Sequence, residues 1–129
     1  MKRTGILNRH LAGALAELGH GHLVLVCDAG MPIPQGPRVV DLAFRAGVPS
    51  FAEVLEGLLA ELVVEGATAA AEIRRANPAA AALLDGHFPD LALVPHEHLK
   101  DLSAQARLVV RTGEAHPYAN VLLRCGVFF

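Results

Sequence analysis

The chain has 129 residues, which fits one domain with a single core and is short for a two-domain enzyme. Its formal net charge of −2 and its scattered Lys and Arg residues argue against a nucleic-acid partner, which requires a clustered basic face. No segment reaches the roughly 18 to 20 apolar residues of a membrane span, and no apolar signal region follows Lys2-Arg3, so we expect a cytoplasmic protein without a membrane partner.

The first predicted elements are a helix and a buried strand. Asn8 can cap a helix that carries three leucines on one face, and Gly19 is expected to end it. Residues 23–27 form a short apolar run, typical of a strand that is buried on both faces. Asp28 follows directly, at the strand end where open α/β sheets present ligand groups.

A loop, a strand and a helix are predicted next. Three prolines and two glycines in residues 29–37 predict a stiff loop, and residues 38–42 predict a strand. Ser50 and Glu53 form a capping box for a helix over 51–59.

The second half continues the alternation. Residues 61–71 fit a strand or a helix, and we favour a strand that ends before Arg74. Asn77-Pro78 opens a helix to about Leu84, which Asp85-Gly86 closes. The remaining segments are listed in order: a strand at 90–94, a helix at 96–104, and strands at 107–111 and 120–123, bridged by residues 112–118. This alternation predicts a single three-layer α/β/α domain over 1–129 with a mainly parallel, mixed sheet.

Composition indicates a protein that associates with itself. With 53% hydrophobic and 19% charged residues, the chain has more apolar surface than a small monomer usually hides, so we expect a homo-oligomer. Cys27 and Cys125 lie far apart in apolar segments and are expected to be buried thiols without a chemical role.

Histidines raise two chemical hypotheses. His20/His22 and His96/His98 have a spacing found in metal sites, but no acidic residue completes a ligand set, so we favour surface histidines and expect no metal. The alternative is cofactor-free acid/base catalysis. His20 can give a proton to a leaving oxygen, and Asp28 can orient a hydroxyl or accept a proton, although Asp28 could also only cap a turn.

Five motifs in order resemble the D-ribose pyranase family, which is grouped with the fucose mutarotases. They are Leu-Gly-His at 18–20, Val-Cys-Asp-Ala-Gly-x-Pro-Ile-Pro at 26–34, Gly-Val-Pro-Ser-Phe at 47–51, His-Glu-x-x-Lys at 96–100 and Thr-Gly-Glu-x-x-Pro-Tyr-Ala-Asn at 112–120. The resemblance implies a cytoplasmic isomerase without cofactor that interconverts the pyranose and furanose forms of D-ribose and supplies the furanose to ribokinase. It also implies a ring-shaped homo-oligomer, commonly a decamer of two stacked pentamers, whose sites a neighbouring subunit completes.

The same resemblance assigns the site residues. His20 falls on the family's general acid, and the sugar-binding positions fall on Asp28, His96, Lys100, Tyr118 and Asn120, with the Ala119 backbone in the same stretch. The family frequently has an acidic residue two positions after the catalytic histidine, where this chain has His22, which could compete with His20 for the same proton. A fucose-type mutarotase and a sugar-binding or transport-accessory ring without catalysis remain as alternatives. A metal-dependent module is a more distant one.

Overall fold

Helices and strands alternate along most of the chain. The computed structural model describes residues 1–129. In chain order the elements are α1 (Arg9–Ala16), β1 (Leu23–Cys27), β2 (Arg38–Asp41), α2 (Phe51–Leu59), β3 (Val64–Ala70), α3 (Ile73–Ala76), α4 (Pro78–His87), β4 (Ala92–Val94), α5 (His96–Ser103), β5 (Leu108–Arg111) and β6 (Val121–Cys125).

The six strands form one mixed sheet in the order β2-β5-β1-β6-β3-β4. Strand β6 is antiparallel to both of its neighbours, β1 and β3, whereas the pairs β1/β5, β2/β5 and β3/β4 are parallel. Five strands therefore point the same way, and their carboxyl ends form one edge of the sheet together with the amino end of β6. We call this edge the carboxyl edge and the opposite one the amino edge. The mainly parallel, mixed sheet that the sequence predicts is confirmed.

Helices cover both faces of the sheet unequally. On one face, helices α1 to α4 and the strands bury a cluster of 22 residues, with Phe51, Leu55 and Leu58 of α2 among its most buried side chains. On the other face, α5 and the loop after β1 cover a cluster of eight buried residues, among them Leu99 and Met31. Because β1 is covered on both faces, its continuous apolar run is explained.

Three predicted helix starts are confirmed. The side chains of Asn8, Ser50 and Asn77 each accept a hydrogen bond from the backbone N–H three residues further on. The Glu53 carboxylate accepts a hydrogen bond from the Ser50 backbone N–H at 2.9 Å, which completes the capping box. Pro78 occupies the first turn of α4.

Two predicted helix ends are wrong. Helix α1 ends at Ala16, before Gly19, and the chain turns at Gly21, whose φ of +81° suits glycine. Helix α4 continues through Asp85-Gly86 to His87. The carboxylate of Asp85 pairs with Arg74 of α3, a short helix that the sequence analysis missed.

The strand prediction for the ambiguous segment is confirmed by β3, and β6 runs two residues further than predicted. Cys27 and Cys125 are buried and unpaired, as expected. Burial raises the pKa of both thiols, that of Cys27 to about 12. None of the helices is long and apolar enough to cross a bilayer.

Candidate active site

Asp28 and Asn120 form a reciprocal pair at the carboxyl edge. Since β1 ends where β6 begins, the two residues lie side by side although they are 92 positions apart. The Asp28 N–H donates to Asn120 Oδ1 at 2.9 Å, and Asn120 Nδ2 donates to Asp28 Oδ2 at 3.2 Å. Asp28 Oδ1 accepts the N–H of Gly30 at 2.9 Å. These bonds fix a buried carboxylate and amide with one defined orientation.

Helix α5 brings His96 and Lys100 to the same place. The two residues are one helical turn apart and therefore share a face. The His96 ring meets Tyr118 edge to face at 5.0 Å, and its Nδ1 is buried without a hydrogen-bond partner. Since Pro95 cannot cap the helix by its side chain, the Glu72 carboxylate accepts the His96 N–H instead, at 3.0 Å.

Tyr118 takes an unusual backbone conformation for a residue with a side chain. Its φ of 58° lies in the left-handed region, which costs free energy and often marks functional sites. The side chain of Asn77 supports the turn by donating to the Pro117 carbonyl at 3.0 Å. Ala119 is fully buried in the larger core, so its side chain does not face the cavity.

One cavity of about 470 Å³ opens at the carboxyl edge, and its lining includes Asp28, His96, Lys100, Tyr118 and Asn120. Its size lies in the range of small-molecule sites. The lining offers carboxylate and amide acceptors together with ammonium, amide and phenol donors, which is the mixture that a polyhydroxylated neutral ligand requires. The sequence-predicted sugar-binding side chains are therefore gathered at one place, as expected for a single site.

Glu114 also lines this cavity, and the sequence analysis assigned it no role. Burial opposes its ionisation, but hydrogen bonds from the His116 side chain and from the N–H groups of Phe51, His116 and Ala115 outweigh burial and lower its pKa. The sequence signal that could have identified Glu114 as part of the site is its position in the Thr-Gly-Glu motif. Because both carboxylate oxygens are engaged, Glu114 holds the loop that carries Tyr118.

His20 lies at the amino edge, outside this cavity. Strand β1 separates it from Asp28 and alone spans roughly 13 Å at ~3.3 Å per residue. His20 and Asp28 of one chain therefore lie too far apart to act on the same sugar, because the two residues precede and follow the same strand.

At the amino edge the partner of His20 is Glu65, which the sequence analysis missed. His20 Nε2 lies 3.1 Å from Glu65 Oε2, and Arg124 Nε forms an ion pair with Glu65 Oε1 at 3.1 Å. The imidazole of His22 turns away, since its Nδ1 accepts the N–H of Gly19 at 2.9 Å. No group of three or more His, Cys, Asp or Glu side chains is arranged to hold a metal ion.

The chain is similar to known proteins over its full length. The family described as the RbsD / FucU transport protein family matches residues 1–128. A D-ribose pyranase of Streptomyces coelicolor is 84% identical over 129 residues, covering all of both chains. The structure of Bacillus subtilis RbsD complexed with D-ribose superposes with a TM-score of 0.95 at 43% identity, again over all of both chains. A fucose mutarotase of Streptococcus pneumoniae in complex with L-fucose shares the fold, with a TM-score of 0.80 at 19% identity over all of both chains.

Proposed function

The chain belongs to the RbsD / FucU transport protein family, and on this premise we propose that it is a D-ribose pyranase, an isomerase that interconverts the pyranose and furanose forms of D-ribose. The observation that carries this conclusion is the 84% identity to a D-ribose pyranase over the full length of both chains. The relative of known structure that superposes with a TM-score of 0.95 was solved with D-ribose.

The cavity at the carboxyl edge is the proposed ribose site. Asp28 and Asn120 orient sugar hydroxyls, because their mutual hydrogen bonds leave carboxylate and amide groups fixed in direction. The unpartnered Nδ1 of His96 is available to a further hydroxyl. The ammonium of Lys100 donates to Glu97 at 2.9 Å and has two more N–H donors for the sugar. Lys100 also stabilises negative charge that develops on an oxygen.

Ring opening of ribose requires two proton movements. The anomeric hydroxyl loses a proton, the bond between C1 and the ring oxygen breaks, and the ring oxygen gains a proton. Closure on a different hydroxyl reverses these steps. In the proposed mechanism Asp28 accepts the first proton and His20 donates the second, and together such groups supply about 10² to 10⁴ in rate.

His20 and the cavity lie at opposite edges of one sheet, so the proposal requires two copies of the chain. We assign the proton donor to His20 of a neighbouring copy that packs its amino edge against the cavity. The exposed apolar side chains of Phe44, Val39, Phe128 and Phe129 are consistent with burial in such an assembly. A ring, specifically a decamer of two pentamers, is the proposed form, and the cytoplasm is its proposed location.

The first experiment measures exchange between pyranose and furanose signals of D-ribose by proton saturation transfer. Wild-type protein should accelerate exchange, and His20→Ala should abolish the acceleration. Acceleration of L-fucose anomer exchange alone would move the protein to the mutarotase branch. Binding of ribose without any acceleration would indicate an accessory ring.

A mixing experiment tests whether the site is shared. His20→Ala and His96→Ala remove groups from opposite edges, and the His96 ring makes no hydrogen bond within the chain that its loss would break. If sites form between copies, unfolding and refolding an equal mixture of the two inactive variants should restore about a quarter of the wild-type rate. A given site receives an intact His20 with a probability of about one half and an intact His96 with a probability of about one half. A mixture that stays inactive would contradict the shared site.

A further inference from the structure

We propose that Glu65, held by Arg124, is a positioning residue for His20. Its carboxylate accepts a hydrogen bond from the Nε2–H group of His20, which leaves Nδ1 as the nitrogen that exchanges a proton with the sugar. This inference rests on the proposed role of His20 as proton donor. It assigns a function to a contact between residues 45 positions apart that lies outside the sugar cavity.

The backbone places Glu65 by a local irregularity. In the pairing of β3 with β6, Val64 faces Cys125 and Gly66 faces Arg124, so Glu65 is the extra residue of a β-bulge. Bulges redirect side chains and are frequent beside active sites. Here the redirected side chain is the carboxylate that meets His20.

Gly66 makes room for the cation that holds this carboxylate. A Cβ added at Gly66 would lie 3.1 Å from Nη2 and 3.5 Å from Nε of Arg124, so the guanidinium packs directly over the glycine. Arg124 then reaches Oε1 of Glu65 and leaves Oε2 for His20. The two oxygens thus have separate partners, and the carboxylate is held from both sides.

His20 is tied to the same strand end. The Gly21 N–H donates to the Cys125 carbonyl at 2.8 Å, and the Cys125 N–H donates to the His22 carbonyl at 2.9 Å. The turn that carries His20 and the bulge that carries Glu65 are therefore both anchored to the last residues of β6, which fixes the imidazole relative to the carboxylate.

The chemical consequence concerns which nitrogen reacts. A hydrogen bond at one imidazole nitrogen determines the tautomer and leaves the other nitrogen for chemistry. With Nε2–H held by Glu65, the imidazolium donates its Nδ1 proton to the ring oxygen of ribose and becomes the Nε2–H tautomer. When the sugar closes, the hydroxyl that attacks returns a proton to Nδ1. The carboxylate keeps its charge throughout.

Two variants of Glu65 separate positioning from charge. In Glu65→Gln one amide oxygen remains as acceptor for the two donors, His20 Nε2–H and Arg124, whereas Glu65→Ala removes the acceptor altogether. Positioning predicts that kcat falls by about tenfold in Glu65→Ala, part of the ~10² to 10⁴ that acid/base groups contribute, and by less in Glu65→Gln. KM for ribose should stay within about twofold, because the sugar cavity at the other edge is unchanged. Glu65, Arg124 and Asp90 line a second cavity, of about 610 Å³, outside the sugar cavity. Asp90→Asn is the matched control, because Asp90 forms no ion pair and its variant should keep the wild-type rate.

A spectroscopic measurement reports the tautomer directly. Solid-state ¹⁵N spectra of histidine-labelled assemblies, with His20 assigned by its absence in His20→Ala, should show the Nε2–H form for neutral His20 in wild type and a mixture in Glu65→Ala. The inference would be overturned by equal kcat in wild type, Glu65→Ala and Glu65→Gln, by the same tautomer in wild type and Glu65→Ala, or by a change in KM without a change in kcat. The proposed function would still stand if His20→Ala abolishes exchange. If His20→Ala retains full exchange, both the proposed function of His20 and this inference fail.

Discussion

Asn120→Ala should destabilise the fold far more than its size suggests, because Asn120 satisfies two polar groups of Asp28. Asp28 is 8% exposed and Asn120 1% exposed. An unsatisfied buried N–H costs about 1–3 kcal/mol, and a hydrogen bond to a charged group contributes about 1.5–3 kcal/mol. Because water can enter from the adjoining cavity and replace part of this loss, we expect a decrease of about 2–4 kcal/mol in the free energy of unfolding.

The assay is thermal unfolding without sugar at one fixed protein concentration, since assembly makes the midpoint depend on concentration. At a few degrees per kcal/mol, the midpoint should fall by about 10 °C. Asn120→Asp is the matched variant: it keeps an acceptor for the Asp28 N–H but places a second carboxylate against Asp28 Oδ2, and it should be at least as unstable. An Asn120→Ala protein within about 1 kcal/mol of wild type would refute the reasoning, because it would mean that water satisfies Asp28 equally well.

Three further measurements test other parts of the fold. The hydrogen bonds that hold the pKa of Glu114 below its ordinary value of 4.5 outweigh burial, so its ionised form stabilises the protein above that pH and this contribution is lost as pH falls through the lowered pKa. In urea titrations the difference in the free energy of unfolding between wild type and Glu114→Gln should therefore become smaller from about pH 7 to about pH 3. A difference that does not change with pH would contradict the lowered pKa of Glu114. Because burial and an adjoining negative charge raise the pKa of Cys27 to about 12, mass spectrometry should find this thiol unalkylated in the native protein at neutral pH and alkylated in urea; rapid native labelling would contradict its burial. Gly113→Ala should lower the free energy of unfolding in urea by about 3 kcal/mol or more, because the added Cβ would overlap the Val48 carbonyl. The control is Gly57→Ala in helix α2, where the added Cβ has open space and should be neutral or stabilising. Equal stability of the two variants would exclude the clash.

Local signals in the sequence predicted most elements because each depends on neighbouring residues. Asn8, Ser50 and Asn77 cap their helices through bonds to the N–H three residues on, so the amino-acid order alone contains the geometry. The proposed sugar-binding side chains came from the family resemblance, and of these Asp28 was also indicated by its position directly after a buried strand. Helix α4 ran longer than predicted, and Asp85, which was expected to end it, pairs instead with Arg74 of the missed helix α3.

The separation of His20 from the cavity that Asp28 lines was only partly visible in the sequence. The strand that separates His20 from Asp28 was predicted correctly, and its length already implies opposite edges. The contact between His20 and Glu65 depends on a β-bulge in the pairing of β3 with β6, and no local pattern around Glu65 reports which residue of a distant strand will face it.

The position of β6 in the sheet also governs the order in which the protein can be built. Strand β6 is the only link between the β2-β5-β1 half and the β3-β4 half, yet it follows every other strand in the chain. During synthesis, which proceeds from the amino terminus, the two halves therefore lack their shared strand until residues 121–125 leave the ribosome. The edges of β1 and β3 stay open to wrong partners during that interval, and the strand that joins the proposed sugar-binding and proton-donating ends is also the last to enter the sheet.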